Sequence, residues 1–159
     1  MMKTILIKFS GELFGNSSDE QSSDFLKNIA FQIKELQKNY IVGIVLGAGN
    51  IFRGNQHGKK LGLKNTTSHS IGMVATIING LILQDILQSL KIPCALFSAI
   101  ECQQISCVIK QSSIDKALNE KKCLIFVGGT GNPFFTTDTN SVLRALQIGA
   151  NQVWKATKV

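Results

Sequence analysis

Leu124-Ile125-Phe126-Val127-Gly128-Gly129-Thr130-Gly131-Asn132-Pro133 runs from an apolar segment straight into a glycine-bearing polar loop. Two other stretches do the same: Ile5-Leu6-Ile7-Lys8-Phe9-Ser10-Gly11-Glu12 and Ile44-Val45-Leu46-Gly47-Ala48-Gly49-Asn50-Ile51-Phe52-Arg53-Gly54. Glycine lets the backbone turn its N–H groups toward a bound anion at close range, because no Cβ stands in the way. One such loop is weak evidence. Three, each after a strand-like run, predict a parallel sheet whose carboxyl-end loops converge on a phosphorylated ligand.

Around these runs, strand and helix alternate. Thr4–Phe9 reads as a strand, followed by a polar loop through about Asp24. A helix is predicted over roughly Asp24–Asn39, with Phe25, Ile29, Ile33 and Leu36 at helical spacing and Asp24 as its cap. Ile41–Leu46 is the next strand, and Asn55–Thr67 reads as a surface loop or short helix. Ser70–Leu90 is a long helix with a wide apolar stripe through Ile71, Val74, Ile78, Leu81, Ile82, Ile86 and Leu90; Gly72, Ala75 and Gly80 leave room for a close neighbour. A short strand (Ala95–Phe97), a short helix (Ile114–Leu118) and a buried strand (Cys123–Val127) follow. A helix opens at Thr137 or Asp138 and reaches about Ile148, and Val153–Val159 is the last strand. Such alternation predicts right-handed crossovers in a mostly parallel sheet.

With 159 residues, the chain is long enough for one domain with a real core and too short for two ordinary ones. A hydrophobic fraction of 44% and a charged fraction of 17% suit a soluble α/β protein. Net charge is +7, yet the basic residues are scattered, and Lys59-Lys60 and Lys121-Lys122 have no aromatic partners beside them. That pattern argues against a nucleic-acid surface while favouring small polyanions. Cys94, Cys102, Cys107 and Cys123 match no zinc spacing. There is no basic-then-apolar leader, and Asn79, Gln84, Asp85 and Gln88 count against a membrane span in the long helix. The expected setting is cytoplasmic, with reduced thiols and no membrane.

Two nucleotide motifs are excluded. A Rossmann fingerprint starting at Gly47 needs glycine where Phe52 stands, and a Walker A loop from Gly49 needs Lys and Ser or Thr where Asn55 and Gln56 follow. The residues present suit phosphoryl transfer instead. Lys8 stands at a strand end beside Ser10 and Gly11, and Lys155 holds a comparable place on the final strand. Arg53 offers a planar fork inside a glycine loop, or is merely a solvated loop charge. Thr130, Asn132, Thr136 and Thr137 present short polar groups after a glycine turn. Thr136 and Thr137 also read as caps of the helix opening at Asp138. The attacking atom can be an already ionised phosphate oxygen, leaving orientation and charge neutralisation to the protein.

These loops together resemble the amino acid kinase superfamily, and within it the bacterial-type UMP kinase (uridylate kinase) family. Lys8-Phe9-Ser10-Gly11-Glu12, Gly47-Ala48-Gly49-Asn50-Ile51-Phe52-Arg53-Gly54, Ile71–Leu81, Gly129–Asp138 and Lys155-Ala156-Thr157-Lys158-Val159 are each similar to a family motif. The resemblance implies a three-layer α/β/α sandwich with a mostly parallel central sheet, the carbamate kinase-like fold. It also implies one amino-terminal, UMP-binding domain over residues 1–159. The implied reaction is ATP + UMP → ADP + UDP in pyrimidine nucleotide (CTP) synthesis, with Mg2+ arriving on ATP rather than at a dedicated protein site. Lys8, Arg53 and Lys155 would be catalytic. Lys8, Phe9, Ser10, Gly11, Gly49, Arg53 and Thr157 would face ATP. Ala48, His69, Thr130, Gly131, Asn132, Pro133, Phe134, Phe135, Thr136 and Thr137 would hold UMP. Family members are typically hexamers built from dimers, activated by GTP and inhibited by UTP.

Departures from the family pattern set further expectations. Ala48 replaces a glycine and is tolerable only at negative φ, with UMP slightly displaced. His69 stands where an aspartate near the UMP ribose is usual. Asn151 occupies a usually acidic position that would orient the catalytic lysines. Family sequences continue into a second half that binds the adenosine of ATP, so the chain reads as truncated and poor at turnover alone. One alternative is a non-catalytic nucleotide-binding or regulatory fragment of a decayed kinase. Another is a superfamily kinase for a carboxylate or carbamate, against which Gly131–Asp138 argues.

Overall fold

The structure, a computed structural model, describes residues 2–15 and 20–156. Strands β1 (Lys3–Phe9), β2 (Tyr40–Leu46), β3 (Cys94–Ser98), β4 (Cys107–Val108), β5 (Cys123–Val127) and β6 (Gln152–Ala156) form one sheet. Its order is β4-β3-β5-β2-β1-β6, and every neighbouring pair is parallel. Helices α1 (Glu20–Leu36), α2 (Asn65–Ser89), α3 (Gln111–Asn119) and α4 (Thr137–Gln147) connect the strands.

The sheet is buried on both faces because its strand side chains alternate between two cores. Ile5, Ile7 and Phe9 of β1 pack with Ile29 and Ile33 of α1 and Leu83 and Leu87 of α2. Leu6 and Val45 face the other way, with Leu124 and Phe126, against Ile114 of α3 and Ala145 of α4. The result is the expected α/β/α layering. Cys123–Val127, read as a buried strand, is buried at every position.

Several boundaries and faces differ from expectation. Helix α1 starts at Glu20, so Asp24 lies inside it rather than capping it, and Leu26 is buried while Phe25 is exposed. Helix α2 begins at Asn65, earlier than Ser70. Val74 and Ile78, counted on its apolar stripe, point outward; Ala75, Thr76, Asn79, Gly80, Leu83 and Leu87 face the protein. An apolar stripe that wide has no preferred phase, and specific polar contacts chose it. Helix α3 is longer than Ile114–Leu118, and the short β4 was not foreseen. At the start of the predicted loop Asn55–Thr67, Gly54–Gly58 forms one π-type turn. Strand β6 is described as far as Ala156, so the rest of the predicted Val153–Val159 strand lies outside the described residues.

Candidate functional site

Strands β5, β2, β1 and β6 are consecutive neighbours, so the three glycine loops leave the sheet side by side at its carboxyl end. Backbone bonds tie the end of β1 to the strand ends on both sides of it. The Gly47 N–H donates to the Phe9 carbonyl at 2.9 Å, and the Ser10 N–H donates to the Ala156 carbonyl at 3.1 Å. Gly11 is required here: a Cβ at that position would lie 2.5 Å from the Gly49 nitrogen and 2.7 Å from the Ala48 Cα. The loop after β5 uses left-handed backbone at Gly128, Gly129 and Gly131, with φ of 76°, 58° and 81°, which glycine adopts without a Cβ clash. Ala48 is absent from the positive-φ residues, as its methyl demands.

Helix α2 pins two of the loops. Asn79, fully buried, donates through Nδ2 to the Gly47 carbonyl at 2.8 Å and to Asn50 Oδ1 at 2.9 Å. One turn earlier, Thr76 Oγ1 accepts from the Gly128 N–H at 2.7 Å. At the back of the β5 loop, the buried Arg144 of α4 donates from Nη2 to the Gly129 carbonyl at 3.1 Å. Burial lowers the pKa of that guanidinium, which lies 5.9 Å from the centroid of the Phe126 ring.

Between α2, the β2 loop and the β5 loop lies a cleft of about 460 Å3, in the range of small-molecule sites. Its lining joins apolar and aromatic groups (Met73, Phe134, Phe135) to Ala48 and Gly49 and to the start of α4 at Thr136 and Thr137. Thr136 caps that helix, its Oγ1 accepting from the Thr139 N–H at 3.1 Å. His69 and Phe134 pack with ring centroids 4.9 Å apart on the cleft wall, and Phe134 holds a left-handed φ of 71°, unusual for a residue with a Cβ. One helix start with free N–H groups and one aromatic wall together suit an anion joined to a flat ring.

Beside the start of α4 stand two amines. Lys8 and Lys155 are register partners on β1 and β6. Both reach Asp138, whose Oδ1 lies 3.2 Å from Lys8 Nζ and whose Oδ2 lies 2.9 Å from Lys155 Nζ. Hydrogen bonds from Lys155, then from Lys8, hold the Asp138 carboxyl below the usual carboxylate range. Arg53 bonds Gly49 through Nε at 3.0 Å and Glu12 through Nη2 at 2.6 Å. The nearby carboxylates, Glu12 and Asp138, are thus each engaged by protein cations.

Of the residues singled out from sequence, Ala48, Gly49, His69, Asn132, Phe134, Phe135, Thr136 and Thr137 line the cleft. Thr130, Gly131 and Pro133 do not; Thr130 Oγ1 instead accepts from the Asn132 N–H at 3.2 Å, holding the loop's shape. Phe9 is not brought to the cleft either, because its side chain belongs to the core and its carbonyl is taken by Gly47. Thr157 lies outside the described residues. Asn151 does not orient the lysines: its Oδ1 accepts from the Thr4 N–H at 3.0 Å, near the opposite end of β1. Asp138 is the carboxylate that contacts both lysines. The sequence reading placed Asp138 and Glu12 in motifs without giving either a partner and assigned no site role to Thr76 and Asn79; a buried polar residue on an apolar helix was the available signal for the last two.

Residues 3–159 match the model of the amino acid kinase family. The uridylate kinase of Campylobacter jejuni (serotype O:23/36, strain 81-176) is 43% identical over 159 residues, covering 99% of this chain and 66% of its own length. The uridylate kinase of Mycoplasma genitalium is 43% identical over 148 residues, 92% of this chain and 60% of that protein. The chain therefore spans just under two thirds of the length of these curated relatives. Among solved structures, the UMP kinase from Ureaplasma parvum superposes with a TM-score of 0.94 at 36% identity, over 99% of this chain and 70% of that one. With the family model matched over nearly every residue and a solved relative superposing over 99% of the chain, the chain belongs to the amino acid kinase family.

Proposed function

We propose that the chain binds UMP in the cleft and takes part in phosphoryl transfer from ATP to UMP. One observation carries this reading above the others: Lys8 and Lys155 converge on Asp138 at the start of α4, next to a cleft with an aromatic wall. The nucleotide base lies against His69 and Phe134, and its phosphate lies at Gly49 and the first N–H groups of α4. A phosphate oxygen of UMP, already ionised, attacks the γ-phosphorus of ATP, and ADP leaves. Lys8 and Lys155 neutralise the charge that spreads over the transferring group. Asp138 keeps both amines forward, and Arg53 exchanges part of its contact with Glu12 for a phosphate oxygen. Mg2+ would come with the ATP phosphates.

The similarity to proteins named uridylate kinase and UMP kinase supports the choice of UMP. Pyrimidine nucleotide synthesis in the cytoplasm, homo-oligomerisation and effector binding by GTP or UTP belong to the same proposal. Nothing in the cleft is assigned to adenosine, and the 159 residues are expected to bind UMP with little turnover of their own. Isothermal titration with UMP tests the binding, and a coupled ADP-release assay tests the turnover. No heat with UMP would sink the substrate assignment; ordinary rates from the purified chain would sink the claim of weak turnover.

A further inference from the structure

Asn140 has no part in the contacts that hold the glycine loops or the lysines. It sits in the second turn of α4, its backbone N–H bonded to the Thr136 carbonyl at 3.0 Å. Its side chain is 2% exposed and lines the cleft together with Leu46 and Thr76. Its Oδ1 is buried without a hydrogen-bond partner. Buried amide oxygens in folded proteins are nearly always partnered, and a leucine would fill a helix–sheet contact without that penalty. The neighbouring Arg144, one turn on, does not relieve it: Nη1 bonds Gln147 Oε1 at 2.6 Å, Nη2 bonds the Gly129 carbonyl, and the buried Nε, itself without a partner, makes no hydrogen bond to the Asn140 oxygen.

We propose that Asn140 reads the nucleoside part of the acceptor, its carboxamide pairing with an N–H of the pyrimidine or an O–H of the ribose. This rests on the proposed binding of UMP. The missing partner is a hydrogen-bond donor, and a phosphate dianion brings none. Phosphate is moreover served by the helix start and the glycine loops, one turn away. Rotation about χ2, a broad torsion in asparagine, brings the carboxamide oxygen round to the cleft. Asn140 is thus a specificity-determining residue, set apart from the lysines that act on the transferred group.

Calorimetric titration of the full chain and of Asn140→Ala tests this, using UMP, 2′-deoxy-UMP, ribose 5-phosphate and inorganic phosphate as ligands. The expected result is UMP weakened by roughly five- to tenfold, the size of one neutral hydrogen bond, with inorganic phosphate changed less than twofold. A loss that persists with 2′-deoxy-UMP but is absent with ribose 5-phosphate assigns the contact to the base. A loss seen with ribose 5-phosphate and absent with 2′-deoxy-UMP assigns it to the 2′-hydroxyl. UMP affinity kept within twofold in Asn140→Ala overturns the proposal and leaves the amide a structural group, bridged to Arg144 by water. Should that variant not fold, the side-chain NH2 resonance of Asn140 in the unaltered chain replaces it. That resonance should shift with UMP and not with phosphate, and no shift at saturating UMP overturns the proposal. Failure of the unaltered chain to bind UMP would remove both readings, whereas UMP binding indifferent to Asn140 removes this one alone.

Discussion

Asp138 holds two lysines that sequence places far from it and from each other, through contacts of 3.2 and 2.9 Å. The carboxylate is more than half exposed, so solvent screens both pairs, and their combined effect on stability is small, about 1 kcal/mol or less. Its value is positional. Asp138→Asn should leave the urea midpoint at pH 7 nearly unchanged while weakening any phosphoryl transfer supported by the chain. The sign of the pH effect follows from the depressed carboxyl pKa. A group with a lower pKa folded than unfolded stabilises the fold above its unfolded value, near 4 for aspartate, and that contribution is lost as pH falls through the folded value. An acid series of urea melts should therefore fall less steeply below about pH 4 in Asp138→Asn than in the unaltered chain. Equal slopes would mean that the lysines do not hold the carboxylate in solution.

Helix α2 does more than cover the sheet. Asn79 and Thr76 tie it to the Gly47 and Gly128 loops, so the helix sets the distance between the two glycine loops that border the cleft. Asn79→Ala strands the Gly47 carbonyl in the interior and is expected to cost about 1–3 kcal/mol, read as a lower urea midpoint at unchanged m-value. Loop against loop, Gly11→Ala forces a methyl into backbone atoms of Ala48 and Gly49. Backbone cannot step aside as a flexible side chain can, so the change should cost about 1–3 kcal/mol and weaken UMP binding together with stability. If Gly11→Ala melts and binds like the unaltered chain, the close approach of the two loops is wrong. The same elements show why the face of α2 was misjudged. Apolar residues nearly surround it, so periodicity alone could not separate Val74 and Ile78, outside, from Ala75, Leu83 and Leu87, inside.

Taken whole, the molecule carries a net charge of +7, and the cleft walled by His69 and Phe134 opens beside lysines on two neighbouring strands. Binding of a UMP dianion should accordingly fall severalfold as ionic strength rises from about 0.05 to 0.5 M, because the Debye length shortens severalfold across that range. Binding of uridine, uncharged, should stay constant across the same titration. A salt-independent UMP affinity would place the phosphate away from the lysines. Much of this arrangement was legible beforehand. Apolar runs ending in glycine loops report strands and tight turns through local backbone chemistry, which needs no partner, and β5 was read to the residue. The positions of Lys8 and Lys155 at strand ends were likewise local facts. Strand order, the meeting of both amines at Asp138, the distant station of Asn151 beside Thr4, and the unpartnered oxygen of Asn140 came only with the fold. Each depends on which side chains packing brings together across long stretches of chain, and no spacing along one segment encodes that.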